Sequence, residues 1–185
     1  ILFERAAQLA MKLTNNDYRK QNIRNRIALN SAAIAEYRKS WSEATELLKP
    51  LSAQDPDNSN VVSRLSRSLF KSGKPDEALE LLEKHWNKNK TNTQRPEITL
   101  AILYQEANDL NKAEDLMVAA SELDLANAGN QTTVARWALE NGKLELAKKC
   151  VERAFKAEPT LETKLLSALV ARYQEDYGTA KTILE

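Results

Sequence analysis

Cysteine and histidine are the side chains that most often serve as nucleophile, base or metal ligand, and this chain has one of each. A zinc tetrad built on Cys and His cannot be assembled from Cys150 and His85, and Cys150 has no partner for an internal disulfide. A cysteine nucleophile also needs a positioned base, and the only imidazole lies far away in sequence. We therefore expect Cys150 to be structural and His85 to be a partly buried packing residue.

The sequence lacks the other common catalytic patterns. It has no Gly-rich phosphate loop, no metal-ligand cluster and no His-based nucleophile arrangement. Pairs of carboxylates are plentiful, but on amphipathic helices they are usually solvated. We predict that the chain is not an enzyme and that it uses no cofactor and no metal.

A second chemistry, recognition of acidic groups, is indicated by basic and aromatic residues at helical spacing. Arg64, Arg67 and Lys71 are three and four residues apart, so they share one face of a helix. Arginine presents a planar fork that suits carboxylates, and aromatic side chains supply rigid apolar contact. These residues could bind a peptide only if regular helices place them on a common surface.

The composition favours such helices. The 185 residues include only 4 Gly and 5 Pro, which disfavours all-β folds with many turns. The net charge of +1 predicts neither bulk nucleic-acid binding nor a strongly acidic partner. No run of about 18 apolar residues occurs, so no membrane span is predicted.

An internal repeat organises the chain. Five segments align on an alanine that precedes a Leu-rich stretch, and these alanines are 34, 35, 34 and 33 residues apart: Ala44, Ala78, Ala113, Ala147 and Ala180. A second small residue lies twelve positions before each one: Ala32, Ser66, Ala101, Ala135 and Ala168. Turn residues such as Gly73 and Gly142 lie between the two small positions. Each unit is therefore predicted to be a helix, a tight turn and a second helix.

This layout and period resemble the tetratricopeptide repeat family. The resemblance implies an all-α fold, a right-handed superhelix, in which stacked helical pairs share one elongated core. The expected array covers residues 1–185, with an N-terminal helix and turn at 1–24. The expected repeats are 25–58, 59–92, 94–127, 128–161 and 161–185, the last one truncated. We expect the chain to be part of a longer protein.

The resemblance also implies where a partner would bind. In this family the first helix of each unit lines the concave face, which is the default surface for a peptide or partner protein. Solvent-facing positions there include Leu165 and Leu169. The residues predicted to contact a partner are Arg26, Tyr37, Arg64, Arg67, Phe70, Lys71, Ile98, Ile102, Arg136 and Tyr173. The family's carboxylate-gripping set fails here, because Leu29, Ala33 and Ile98 replace its polar members.

Other functions are weighed against this scaffold. The chain could be a regulatory or oligomerisation module of a larger protein, and it could self-associate through apolar repeat ends. Nucleic-acid binding is disfavoured, because no base-reading pair of side chains recurs through the repeats. The sequence decides neither the identity of the partner nor between a cytoplasmic and a periplasmic location.

The repeat register generates a stability prediction. Ala147→Leu places a large side chain at a helix crossing, so it should destabilise the fold by roughly 1–3 kcal/mol through overpacking. Urea unfolding measures this change. An unchanged midpoint would contradict the register.

Overall fold

The fold of the chain is entirely helical where it can be described. The computed structural model describes residues 5, 8–9, 11–12, 16–90 and 94–185, and within these ranges every regular element is an α-helix. This confirms the predicted all-α class. Much of the N-terminal helix and turn predicted for residues 1–24 lies outside the described residues.

The described ranges contain ten helices between residues 17 and 184. The first has 21 residues, the last has 8, and the other eight have 11–14 residues, or about three to four turns each. The ten helices are α1 (Asp17–Tyr37), α2 (Trp41–Gln54), α3 (Ser59–Lys71), α4 (Pro75–Lys88), α5 (Pro96–Glu106), α6 (Leu110–Leu123), α7 (Ala128–Glu140), α8 (Leu144–Ala157), α9 (Leu161–Tyr173) and α10 (Tyr177–Leu184). The helices fall into two compact units, residues 1–89 and 90–185. That the repeats form one continuous array stays a prediction.

The first unit contains two helical pairs. Helix α1 packs on α2, α2 packs on α3, and α3 packs on α4, so neighbours in sequence are neighbours in space. Side-chain caps start two of these helices, because Asn16 and Asn58 each accept a hydrogen bond from the backbone N–H three residues later. Helix α1 has 21 residues and is the longest helix described.

The second unit contains three helical pairs, α5 with α6, α7 with α8 and α9 with α10. Its apolar core brings together Ile98, Met117, Val134, Trp137 and Val151 from four different helices. Helix α7 contributes to both sides of this core, since it also packs against α6 and α9. One hairpin therefore buries its apolar face against the next.

The repeating small residues lie where the helices meet. The first small position is fully buried at Ala32, Ser66, Ala101 and Ala135, and nearly so at Ala168. The anchoring alanine is fully buried in the first four repeats, and Ala180 of the last repeat is half-buried. Only a small side chain lets two helix backbones approach this closely. Both small positions of the predicted repeat therefore lie in the packing between helices.

The turn inside each pair is the same in all five repeats. One residue adopts the left-handed backbone conformation in every turn: Lys39, Gly73, Asn108, Gly142 and Glu175, with φ between 60° and 80°. The next residue then donates its N–H to the carbonyl five positions earlier, as in Lys143 N to Ala138 O at 2.7 Å and Asp176 N to Ala171 O at 3.0 Å. This is the Schellman arrangement that ends a helix with its carbonyls satisfied. The residue that donates this bond is also the N-cap of the following helix.

Because the left-handed turn recurs in every repeat, substitution of two glycines of the second unit by alanine should have different effects on stability. Gly142 has a φ of +71°, and a methyl group added to it would have no atom within 4 Å. Gly129, within α7, does not have a positive φ, and a methyl group added to it would meet only Asn127 Oδ1, at 3.4 Å. Gly142→Ala should therefore lower the free energy of unfolding by roughly 1 kcal/mol through backbone strain. Gly129→Ala should leave it unchanged or raise it by up to about 1 kcal/mol. Urea denaturation of both variants tests this, and equal losses would show that the turn conformation is not the cause.

Candidate protein-interaction surface

In the first unit, the predicted partner-binding residues lie on α1 and α3. Arg26, Tyr37 and Arg67 are exposed, and Tyr37 is 90% accessible. Phe70 and Lys71 are half-buried, and the Lys71 ammonium lies 5.9 Å from the centroid of the Phe70 ring. This distance allows a cation–π contact. These residues keep their predicted place on the surface of the first helices, and their contact with a partner stays a prediction.

Arg64 has a different role from the one the sequence predicts. Its Nε donates to Glu36 Oε1 at 3.0 Å, and one of its terminal nitrogens donates to Glu36 Oε2 at 3.0 Å and to the backbone carbonyl of Leu29 at 3.1 Å. Both charged side chains are only 23% exposed. The Arg64 fork therefore joins α3 to α1 and is occupied by the protein itself, so Arg64 is corrected from a ligand contact to a packing residue.

Ile98 is a second correction. It is fully buried in the core of the second unit, so it cannot contact a partner. Ile102, one helical turn later on α5, is 38% exposed and remains on the surface. The two residues are four apart and lie on nearly the same side of α5, so their difference in burial comes from the core that packs against the start of the helix and not from its rotation.

The second unit presents an apolar stripe on α9. Leu161, Leu165, Leu169 and Tyr173 follow one another at intervals of four residues, and they are between 38% and 72% exposed. Residues four apart lie on the same side of a helix, so the stripe is continuous. Leu161, Leu165 and Leu169 line an open groove of about 540 Å³ with Leu166, Arg136 and Glu162. We call this cavity, together with Tyr173, the α9 groove.

Charged residues lie at the edge of the α9 groove. A terminal guanidinium nitrogen of Arg136, on α7, donates to Glu162 Oε1, on α9, and both side chains are more than half exposed. Behind them, the Trp137 indole donates to Gln105 Oε1 at 2.8 Å and thereby joins α7 to α5. The groove therefore has an apolar wall on α9, a charged edge and a rigid support.

The side chains with catalytic potential are buried in packing roles. Cys150 is fully buried, and this burial raises the pKa of its thiol, which disfavours the reactive thiolate. His85 is also buried, with Nδ1 3.1 Å from the Pro56 carbonyl oxygen and Nε2 3.1 Å from Ser59 Oγ. Across the described ranges, no three His, Cys, Asp or Glu residues are grouped so that they could hold a metal. No helix in those ranges is long and apolar enough to cross a membrane.

Comparison with known proteins identifies the repeat. Residues 37–96 match the sequence model of the tetratricopeptide repeat family, and this segment spans α2, α3 and α4, where the small positions Ala44, Ser66 and Ala78 are fully buried. Residues 37–96 therefore carry a tetratricopeptide repeat sequence. No curated protein matches it in sequence.

Solved structures with a similar arrangement of helices include several of the protein MamA. A crystal structure of MamA is 16% identical, with a TM-score of 0.49, and the alignment covers 87% of this chain and 88% of that one. A structure of MamA from Desulfovibrio magneticus RS-1, from residue 41 to the end, is 15% identical with a TM-score of 0.49, and the alignment covers 87% of this chain and 91% of that one.

The sequence analysis predicted most of the exposed face and missed Leu161, the most exposed leucine of the α9 stripe. Arg136, Ile102 and Tyr173 are exposed as predicted, as are Leu165 and Leu169. Leu161 was missed because it is the first residue of α9, before the position at which the repeat alignment begins to assign a face. The four-residue spacing from Leu161 to Tyr173 was the signal that could have revealed it.

The Arg64 fork generates a prediction that separates packing from ligand contact. Arg64→Ala leaves the Glu36 carboxylate and the Leu29 carbonyl without their donor in a half-buried site, so it should destabilise the protein by roughly 1–3 kcal/mol. Arg26→Ala, at an exposed position of α1, is the matched control and should change stability by less than about 0.5 kcal/mol. Chemical denaturation of the two variants measures both effects. Equal stability of the two variants would contradict the packing role.

Proposed function

We propose that this chain is a non-enzymatic protein-interaction scaffold, and that the α9 groove binds an apolar, helical segment of a partner protein. The observation that carries the proposal is the row of four large apolar side chains left exposed on α9. A helix in a folded protein usually turns its apolar stripe toward a core, so an exposed stripe with regular spacing marks an interaction surface.

The stripe supplies a driving force for binding. Moving a fully exposed leucine out of water contributes about 1.5–3 kcal/mol, and the three leucines are exposed by 72%, 51% and 38%. Their combined burial could therefore support a complex of moderate affinity after the loss of rotational and translational freedom is subtracted. A partner helix with apolar residues three and four positions apart has the complementary spacing.

The charged edge supplies a preference for the partner's sequence. The Arg136–Glu162 ion pair is solvent-exposed, and exposed pairs contribute only about 0–1 kcal/mol. The Arg136 fork can thus exchange Glu162 for a carboxylate of the partner at small cost. We infer that the bound segment is an amphipathic helix that carries an acidic residue beside its apolar stripe.

The proposed scaffold role leaves a separate surface on the first unit. Arg26, Tyr37, Arg67, Phe70 and Lys71 lie on its first helices and could contact the same class of partner. The family supports protein binding as the function, and the burial of Cys150 and His85 in packing roles supports a chain without a catalytic site of its own. We rank these residues of the first unit after the α9 groove as proposed contacts.

Affinity capture with matched baits tests the proposal. The bait Leu165→Ser/Leu169→Ser removes two leucines of the stripe, which are 51% and 38% exposed. The control bait Leu123→Ser/Leu125→Ser removes two leucines outside the groove that are more exposed, at 60% and 51%. Quantitative mass spectrometry should find partners that the wild-type and control baits retain and that the groove bait loses at least tenfold. Peptides from those partners should then bind the purified wild-type chain directly.

A charge reversal tests the role of the groove edge. Arg136→Glu places a second carboxylate beside Glu162, so it should lower the affinity for the same peptides. The loss should be greatest for peptides with an acidic residue beside their apolar stripe. If the groove bait and the control bait capture identical sets of proteins, the partner surface lies elsewhere and the proposal fails.

A further inference from the structure

The first unit contains a cleft with a basic rim that the proposed function does not use. It lies between α2 and α4, above α3, and has a volume of about 380 Å³. Three lysines and one histidine line it, and its lining contains no acidic residue: Lys49, Ser52, Ala53, Pro56, Leu65, Leu81, Lys84, His85 and Lys88. We call this cavity the basic cleft.

The lysines of the basic cleft are weakly engaged by the protein. Lys49 lies 3.6 Å from Glu46 and Lys88 lies 3.8 Å from Asp57, both longer than a good charge-assisted hydrogen bond, and all four side chains are well exposed. Lys84 is exposed on the same face of α4 as Lys88, one turn earlier. The three ammonium groups are therefore free to turn toward an anion held in the cleft.

A serine hydroxyl lies among these lysines. Ser52 lines the basic cleft, and within the described ranges its side chain makes no hydrogen bond. Its oxygen is not one of the enclosed polar atoms that lack a partner, so it keeps contact with solvent. The Ser52 hydroxyl can therefore donate to a ligand in the cleft that brings an acceptor.

His85 builds the wall of the cleft and does not act as a ligand. Its Nδ1 lies 3.1 Å from the Pro56 carbonyl, which can only accept, so Nδ1 carries the hydrogen and Nε2 faces Ser59 Oγ at 3.1 Å. Both ring nitrogens are thereby occupied. The imidazole fixes the loop after α2 against α4 and holds the two lysine-bearing helices at the width of the cleft.

We propose that the basic cleft binds an oxyanion, a carboxylate or a phosphate, carried by an acidic segment of a partner protein. The lysines supply positive charge and the Ser52 hydroxyl a hydrogen-bond donor, while Leu65, Leu81 and Pro56 supply apolar contact that suits a peptide better than a free ion. Apolar walls also lower the local dielectric constant and strengthen attraction between charges. The lining has no aromatic residue on which a base could stack, so a nucleic acid fits less well.

The test uses labelled peptides of defined charge. Fluorescence anisotropy compares a hexaglutamate peptide, a phosphoserine peptide of equal charge and an uncharged hexaglutamine peptide. Lys84→Gln/Lys88→Gln should weaken binding of the anionic peptides by about tenfold or more, because two of the three cations are removed. The control Lys39→Gln/Lys156→Gln removes the same charge at two exposed positions outside the cleft and should keep the affinity within about twofold.

A second readout fixes the place of binding. Ser52→Ala, which changes no charge, should also weaken binding of the anionic peptides. When an anionic peptide is added to the wild-type protein, the backbone amide chemical shifts should change at α2 and α4 and remain constant at α9. The tighter of the two anionic peptides identifies the source of the oxyanion. Equal weakening by both double variants, or equal affinity for hexaglutamate and hexaglutamine, would overturn the proposal. Neither result would affect the α9 groove, whose variants lie in the other unit.

Discussion

The close approach of paired helices at small residues is the constraint on which the rest of this structure depends. Where Ala32, Ser66, Ala101 and Ala135 are fully buried, a larger side chain would force the two backbones apart. The left-handed residue in each turn serves the same geometry, because it ends one helix and caps the next within two residues. Within each unit, a hairpin thus presents an apolar face to the next one.

This packing determines which side chains remain for function. Residues such as Ile98, Arg64 and His85 are drawn into contacts between helices, where they stabilise the stack. What is left on each unit has its own chemistry: an apolar groove with one charged edge on the second unit, and a cleft lined by lysines on the first. A scaffold that recognises protein segments needs such distinct surfaces, because apolar burial supplies affinity while charge supplies selectivity.

The sequence predicted the fold well because its signal is local and repeated. Small residues at two positions of each repeat, and a spacing near 34, are visible without any knowledge of contacts, and burial at both positions confirms them. The candidate site was predicted less well, because the repeat alignment indicates a side of each helix but not which turns of that side are covered by a neighbouring helix. Ile98 is covered by the core, whereas Ile102 on nearly the same side of α5 is exposed. The pairing of Arg64 with Glu36 joins residues 28 apart, and the left-handed turns at Lys39 and Glu175 have no glycine to reveal them.

The most direct test of the account is a nuclear Overhauser experiment on the protein with ¹³C-labelled alanine methyl groups. Ala135 of α7 and Ala147 of α8 belong to one buried cluster, so their methyl groups should show cross-peaks across the α7–α8 crossing. Ala157, at the exposed end of α8, should show none to α7. Cross-peaks from Ala135 that are confined to its own helix would mean that the small residues do not meet, and the proposed basis of the fold would be wrong.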